Sequence, residues 1–246
     1  MTGPIGHGKT TFADALTNME PSTVHFESSL IIAEVANALQ AALTDIPDPY
    51  NVERLNNWLR ALPAILLEVV HVRCNFDQIK LDQTAMEEHP IEFQKLILHV
   101  ENLQRKPELM NQQITKENKE SYRPLLQWIG GYLVQRIDSG IWYNEIVRRI
   151  RQAAAAGCQL CIVGGLRYPT DAAILRGAGA MIIKVYRPGH LQSDLLDPTE
   201  RERQNIQVDC TIMSNGSIAD VKQFAKQFYE NLKANQLQST YHTAVV

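Results

Sequence analysis

A glycine-rich motif near the start of the chain constrains the fold more than any other feature. Residues Gly3 to Thr10 read Gly-Pro-Ile-Gly-His-Gly-Lys-Thr and match the pattern G-x-x-x-x-G-K-[ST] at every fixed position. A chance match somewhere in a chain of 246 residues has a probability on the order of 1%. Such a P-loop joins a strand to a helix in α/β proteins. The motif therefore predicts an α/β domain that binds a nucleoside triphosphate.

Each residue type in the P-loop has a chemical reason to be there. Glycines let the backbone turn tightly and direct its N–H groups inward, towards an anion. The lysine can reach the β- and γ-phosphates, and a hydroxyl at the next position can bind Mg²⁺. We therefore predict a site for ATP and Mg²⁺, with Thr10 as the metal ligand. The predicted binding residues in the loop are Gly3, Gly6, His7, Gly8, Lys9, Thr10 and Thr11.

The position of the P-loop in the chain raises a structural question. A P-loop normally follows the central strand of a parallel sheet, and a strand has about five or six residues. Only Met1 and Thr2 precede Gly3. We therefore expect the first strand to be missing and its neighbouring strands to flank an open lane, that is, an unoccupied strand position in the sheet.

Composition limits the classes of partner. Hydrophobic residues make up 45% of the chain and charged residues 21%, and the net charge is −3. These values are typical of a soluble globular protein, and a mildly acidic chain is a poor candidate for binding nucleic acid or a membrane surface. The first residues contain no basic leader or apolar core, so we expect no signal peptide, and no apolar run is long enough for a membrane helix. We expect a cytoplasmic protein, monomeric or homodimeric, whose partner is a small molecule.

Hydrophobic periodicity predicts strands that alternate with helices. Candidate strands lie at 23–26, 158–164, 180–186 and 208–213. This order is typical of a parallel sheet with helical crossovers. We predict one P-loop domain over residues 1–235, a mostly helical insertion at about 45–120, and a flexible tail at 236–246.

Two cysteines have C-x-x-C spacing, at Cys158 and Cys161. No second C-x-x-C or nearby H-x-x-x-H completes a zinc site. If both lie in one strand, a separation of three places them on opposite faces. We therefore expect reduced core cysteines.

The C-terminal half carries a further series of motifs. They are Arg123-Pro124-Leu125-Leu126-Gln127-Trp128-Ile129-Gly130, Trp142, Gly165-Leu166-Arg167 and Arg187-Pro188-Gly189. With the P-loop, this series resembles the deoxynucleoside monophosphate kinases of tailed phages and related bacterial P-loop nucleotide kinases. The resemblance covers the P-loop and about residues 121–235. It implies a nucleotide-kinase-like P-loop NTPase fold, a three-layer sandwich. It also implies Mg²⁺-assisted phosphoryl transfer from ATP to a nucleoside or deoxynucleoside monophosphate.

The resemblance also implies roles for individual residues. Arg187 would contact ATP, and arginines in a mobile segment at 190–204 would neutralise the transferred phosphoryl group. The implied catalytic residues are Lys9, Arg123, Arg167 and Arg201. The implied acceptor-binding residues are Arg123, Gln127, Arg136, Arg167 and Asp171. Trp128 and Trp142 are expected in the core.

One departure from the family pattern concerns catalysis. The family usually has an Asp where this chain has Gly165, and Asp171 could act in its place. Two alternatives stay open beside the nucleotide kinase, the first because residues 3–11 resemble other P-loop kinases equally well, and the second because of Gly165 and the short N-terminus. One is another small-molecule P-loop kinase, similar to dephospho-coenzyme A kinases. The other is a nucleotide-binding module without kinase activity.

Overall fold

The computed structural model describes residues 1–4, 6–42, 47–48, 50–74, 90–136, 138–190, 198–214 and 216–238, without the side chains of 73–74, 90–93, 136, 198–200 and 235–238. The chain is a helix-rich α/β protein. Its described helices are α1 (Lys9–Met19), α2 (Ser28–Ala42), α3 (Val52–Cys74), α4 (Pro90–Arg105), α5 (Arg123–Arg136), α6 (Ile141–Ala155), α7 (Pro169–Gly177), α8 (Pro198–Gln204) and α9 (Ile218–Gln238). Its described strands are β1 (Val24–Glu27), β2 (Cys161–Gly164), β3 (Ile183–Tyr186) and β4 (Cys210–Met213).

The chain divides into two compact units. The first contains Met1–Ser28 and Tyr143–Val246, and the second contains Ser29–Trp142. All four described strands belong to the first unit, while the described elements of the second are helical. A single domain over 1–235 with an insertion at 45–120 stays a prediction, and residues 239–246 of the predicted tail lie outside the described residues.

The strands form two small parallel sheets. β1 pairs with β2, so that Val24 lies opposite Cys161 and Glu27 opposite Gly164. β3 pairs with β4 in the same parallel sense. All four predicted strands are confirmed; the first is shifted by one residue, and the other three are shorter than expected. Because the strands of each pair run in parallel, their carboxyl ends share one edge, where side chains from successive loops meet.

Thr2 continues the sheet of β3 and β4 towards the P-loop. It forms an isolated parallel bridge with Lys184. The N–H of Thr2 donates to the carbonyl of Ile183 at 2.8 Å, and the N–H of Val185 donates to the carbonyl of Thr2 at 3.0 Å. The residue directly before Gly3 is therefore held by ladder hydrogen bonds to β3.

Met1 makes the corresponding contacts on the other side. Its nitrogen donates to the carbonyl of Val163 in β2, and its carbonyl accepts from the N–H of Leu166 at 3.3 Å. The expectation of an open lane is wrong at these positions, because Met1 and Thr2 bond to β2 and to β3. Even two residues can satisfy the backbone groups of the neighbouring strands, which would be costly to leave unpaired when buried. No longer strand precedes Gly3 among the described residues.

Helices α1 and α9 pack against each other and cover one face of these strands. Phe12 of α1 contacts Phe228 of α9, with ring centroids 5.8 Å apart. Burial of each large apolar side chain contributes about 1.5–3 kcal/mol to stability. The buried members of this core include Phe12, Leu16, Ile162, Ile183, Val185, Val221 and Ala225.

The second unit has its own buried core. Helix α4 packs along α5, and Trp128 of α5 is 2% exposed. The indole N–H of Trp142 donates to the carbonyl of Gly130 at 3.2 Å. The prediction that Trp128 and Trp142 are core residues is confirmed. No helix in the described part of the chain is long and apolar enough to cross a membrane.

The positions of the two cysteines of the C-x-x-C pair differ from the prediction. Cys158 sits in the turn after α6, before β2 begins at Cys161. Their sulfur atoms are 3.6 Å apart. The prediction that the two side chains lie on opposite faces is wrong, because strand alternation does not extend to a residue in the preceding turn.

Candidate functional site

The P-loop turns through glycines in backbone conformations that other residues rarely adopt. Gly3 has φ 133°, and Gly8, the residue before α1, has φ 91°. A Cβ on Gly3 would lie 2.2 Å from the carbonyl oxygen of Val185. Gly3 is therefore required by both its backbone angle and its close approach to β3.

Lys9 folds over the loop that precedes it. Its ammonium group donates to the carbonyl oxygens of Gly3 and Pro4, both at 2.6 Å. The side chain is half-buried and begins α1, whose N-terminus adds a partial positive charge. This end of the first unit thus concentrates positive charge around the loop. Thr10 is exposed in the first turn of α1, and Thr11 is half-buried.

His7 ties the P-loop to the end of β3. It is fully buried, and its Nδ1 accepts a hydrogen bond from the main-chain N–H of Arg187 at 2.8 Å. Its ring also contacts Tyr186 and His190, with centroids 5.4 and 5.2 Å away. An Nδ1 that accepts a hydrogen bond carries no proton, so this contact is made by the neutral imidazole.

Ser214 ties the same loop to the end of β4. Its hydroxyl donates to the carbonyl of His7 at 2.7 Å, and its N–H donates to the carbonyl of Tyr186 at 2.8 Å. A Cβ on Gly8 would lie 3.5 Å from the Ser214 hydroxyl. We call His7 and Ser214 the loop clip, because together they bond the P-loop to two strand ends.

A cavity of about 480 Å³ opens beside the loop clip. This volume lies within the range of small-molecule sites, roughly 300–1,000 Å³. Its wall combines a loop that suits phosphate, one arginine and apolar side chains at the start of α9. The lining residues are Gly6, His7, Gly8, Thr11, Arg187, Ser214, Gly216, Ser217, Ile218 and Val221.

A second group of polar residues lies at the carboxyl ends of β1 and β2. Asp171, in the first turn of α7, is buried, and burial raises its pKa to about 7. The hydroxyl of Tyr143 donates to the carbonyl of Gly165 at 3.4 Å. Burial, and secondly the negative charge of Asp171, raise the pKa of Tyr143 far above its usual value. Arg167 is exposed and its charge acts on the same tyrosine. We call Tyr143, Arg167 and Asp171 the tyrosine cluster.

A comparison with protein families identifies the family to which this chain belongs. Residues 64–224, well over half of the chain, match the model of the family described as deoxynucleotide monophosphate kinase. The chain belongs to the deoxynucleotide monophosphate kinase family. No match to a curated protein was found. The matched range begins after the P-loop, so the loop is a separate observation in favour of nucleotide binding.

The structure brings part of the residue set predicted for this kinase together. Of the predicted loop residues, Gly6, His7, Gly8 and Thr11 line the cavity together with Arg187. Gly3 packs against β3 instead, Lys9 lies over the loop and Thr10 is exposed. Arg167 and Asp171 both lie near enough to Tyr143 for their charges to act on it. Arg201 is exposed on α8, and residues 191–197 of the predicted mobile segment lie outside the described residues.

The remaining predicted residues of this kinase belong to the second unit. Arg123 begins α5 and pairs with Glu120 at 3.0 Å, with both side chains exposed. Gln127 is exposed one turn along the same helix. Arg136 ends α5, and its side chain lies outside the described residues.

Sequence reasoning missed Ser214 and Glu27. Ser214 directly follows β4, and Glu27 ends β1 opposite Gly164. A Cβ on Gly164 would lie 3.2 Å from the Glu27 carboxylate, which therefore covers this glycine. Both residues lie at the carboxyl ends of predicted parallel strands, and that position was the available signal.

Metal-binding carboxylates are not clustered in the part of the chain that the structure describes. Its His, Cys, Asp and Glu side chains form no group of three or more that could hold a metal ion. An oxygen site built from one hydroxyl, phosphate oxygens and water would still suit Mg²⁺, which retains several waters in proteins. The exposed Thr10 hydroxyl fits such a site.

Proposed function

We propose that the protein transfers the γ-phosphoryl group of ATP to a deoxynucleoside monophosphate. The observation that carries the proposal is the P-loop itself: Lys9 lies over a turn of left-handed glycines, at the edge of a parallel sheet, in a chain of this kinase family. A loose phosphoryl-transfer transition state needs positioning and positive charge more than a strong general base.

The same observations support a finer proposal for the fold. We propose that β1–β2 and β3–β4 are the two sides of one parallel sheet, with Met1 and Thr2 in its central lane. The hydrogen bonds of Met1 to β2 and of Thr2 to β3 support this order. The fold would then be a nucleotide-kinase-like P-loop sandwich, one domain with a helical insertion.

The cavity beside the loop clip suits the nucleoside of ATP. Gly6 and Gly8 border it, so a phosphate chain could run from the cavity into the loop. Arg187 could stack on a base, and Ile218 and Val221 offer apolar contact. We propose that Gly3, Gly6, Gly8 and Lys9 hold the phosphates.

Transition-state charge would be neutralised by cations from several elements. Lys9, Arg123, Arg167 and Arg201 are proposed for this role. Thr10 would hold Mg²⁺, which when bound would offset negative charge on the phosphates. Asp171 suits a hydrogen bond to the acceptor better than metal binding, because a pKa of about 7 leaves much of it protonated at neutral pH. Arg123, Gln127, Arg136 and Arg167 are proposed to bind the acceptor.

One observation favours a second candidate function. Gly165 leaves no carboxylate at the end of β2, and the nearby Asp171 is a weak metal ligand because burial raises its pKa. This favours a nucleotide-binding protein without turnover as the second candidate.

A panel of acceptors tests the proposal. ADP formation from ATP and Mg²⁺ is measured with each common deoxynucleoside monophosphate and with dephospho-coenzyme A. We expect at least one deoxynucleotide to stimulate ADP formation, with Lys9→Ala silent. Stimulation by dephospho-coenzyme A alone, or ATP binding without ADP formation, would contradict the proposal.

A further inference from the structure

The C-x-x-C pair is a chemical feature that the kinase reaction does not use. The Sγ atoms of Cys158 and Cys161 are 3.6 Å apart, and both cysteines are free. A disulfide has its sulfurs about 2.05 Å apart. A shift of roughly 1.5 Å would therefore suffice to join them.

Main-chain hydrogen bonds hold the two cysteines in this arrangement. Cys161 opens β2 opposite Val24, and its side chain is buried. The N–H of Cys158 donates to the carbonyl of Ala153 in α6 at 3.0 Å. The N–H of Gln159 donates to the Ser22 hydroxyl at 3.1 Å. The turn between the cysteines is thus fixed at both ends, which keeps the thiols close.

The two thiols differ in a way that suits stepwise oxidation. Cys158 is half-buried, whereas Cys161 is 1% exposed. Burial, and secondly the neighbouring Cys158, raise the pKa of Cys161 to about 12. A disulfide oxidant therefore reacts with Cys158 first, since thiol exchange needs both solvent access to the sulfur and a thiolate.

We propose that Cys158 and Cys161 form a dithiol–disulfide site that is oxidised by small-molecule disulfides. The Cys158 thiolate attacks one sulfur of the oxidant, forms a mixed disulfide and releases one thiolate. The Cys161 sulfur then attacks Cys158 Sγ, forms the intramolecular bond and releases the second thiolate. The protons of both cysteines end on the two released thiols, so the protein loses two electrons and the oxidant gains them.

This site lies away from the P-loop. Cys161 is the first residue of β2 and Gly164 the last, and a strand rises about 3.3 Å per residue. The thiol pair therefore lies about 10 Å from the carboxyl edge that carries the P-loop and the tyrosine cluster. The proposal is independent of the proposed function.

Redox titration of the full chain tests the site. The native protein is equilibrated in glutathione buffers of increasing oxidised fraction, quenched in acid, alkylated and analysed by peptide mass mapping. We expect a linked peptide containing Cys158 and Cys161, formed in one two-electron transition. The second step should accelerate with rising pH, because the Cys161 thiolate becomes more populated.

Matched variants separate this bond from other thiol chemistry. Cys210→Ser should leave the transition unchanged, since Cys210 lies in β4. Cys158→Ser should abolish it, and Cys161→Ser should retain a mixed disulfide at Cys158. Circular dichroism in each buffer confirms that the chain stays folded. The proposal is overturned if both thiols remain alkylatable at the most oxidising ratio, or if wild type stops at the mixed disulfide.

Discussion

The loop clip and the tyrosine cluster lie at the same kind of place, the carboxyl edge of parallel strands, but they are built differently. The P-loop side is made of main-chain groups: glycine turns, carbonyls that accept from Lys9, and backbone bonds to His7 and Ser214. The tyrosine cluster is made of side chains, and burial raises the pKa of two of them, Tyr143 and Asp171. Backbone shape should therefore govern the first group, and protonation the second.

This difference gives each group its own signature. Binding at the P-loop side should respond to changes of backbone geometry and of the one lysine, and little to pH. The tyrosine cluster should respond to pH near neutrality, where Asp171 titrates. The following changes test this separation.

Removal of the Lys9 charge should have the largest effect. Lys9→Met should lower kcat for phosphoryl transfer roughly 100- to 1,000-fold, because the cation stabilises charge that develops in the transition state. The matched control is Lys226→Met, since Lys226 is an exposed α9 lysine paired with Glu230 at 3.9 Å. Equal activity in the two variants, measured as ADP formation with both proteins folded, would remove Lys9 from the mechanism.

Two glycine substitutions compare the two groups directly. Gly3→Ala should lower the free energy of unfolding by roughly 3 kcal/mol or more, because strain at φ 133° adds to a clash with the Val185 carbonyl. Gly165→Ala should cost only about 1 kcal/mol, because its φ is 74° and nothing lies within 4 Å of the added carbon. Chemical denaturation measures both. Similar losses would show that the close approach to β3 is unimportant.

Asp171 should make stability depend on pH. Its folded pKa, about 7, exceeds the usual value of 3.8, so the unfolded chain releases this proton more readily. Stability from this group is therefore full below about pH 4 and lost as pH rises towards 7. Relative to Asp171→Asn, wild type should lose on the order of 2 kcal/mol between about pH 5 and pH 7.5.

The control for this pH effect is Asp14→Asn, because Asp14 is an exposed residue of α1. Its unfolding free energy should track that of wild type at every pH. A parallel pH dependence in Asp171→Asn and wild type would mean that Asp171 ionises normally.

Ser214→Ala should have the smallest effect. Loss of the hydroxyl that bonds to the His7 carbonyl should cost about 1 kcal/mol and raise the KM for ATP roughly two- to fivefold. Thr17→Ala is the control, because it removes a hydroxyl that bonds to Ala13 at 3.0 Å within α1. If both variants raise this KM equally, the loop clip does not shape the donor site.

The sequence predicted the loop clip and the tyrosine cluster to different extents. The P-loop was readable because glycine, lysine and threonine at fixed spacing encode a backbone shape, and the four strands followed from hydrophobic runs. Glu27 and Ser214 were missed because a position at the carboxyl end of a strand does not show which distant segments a polar side chain will contact. The contact between Cys158 and Cys161 was misjudged because β2 begins three residues later than the apolar run suggested.

The family resemblance also predicted more about the chain than local sequence patterns did. The motifs from Arg123 to Arg187 carried the resemblance that the family match bears out. The roles of Arg123, Gln127, Arg136 and Arg201 stay predictions. Side-chain roles on helix surfaces depend on where a substrate lies, and periodicity carries no such information.

The loop clip also has a consequence for how the protein folds. His7 lies near the start of the chain, while its partners Arg187 and Ser214 follow 180 and 207 residues later. The contact between α1 and α9 spans a similar separation. Contacts of such high sequence separation form slowly, because a long loop must close first. The phosphate loop is therefore synthesised long before α9 and acquires its final shape only after α9 has left the ribosome.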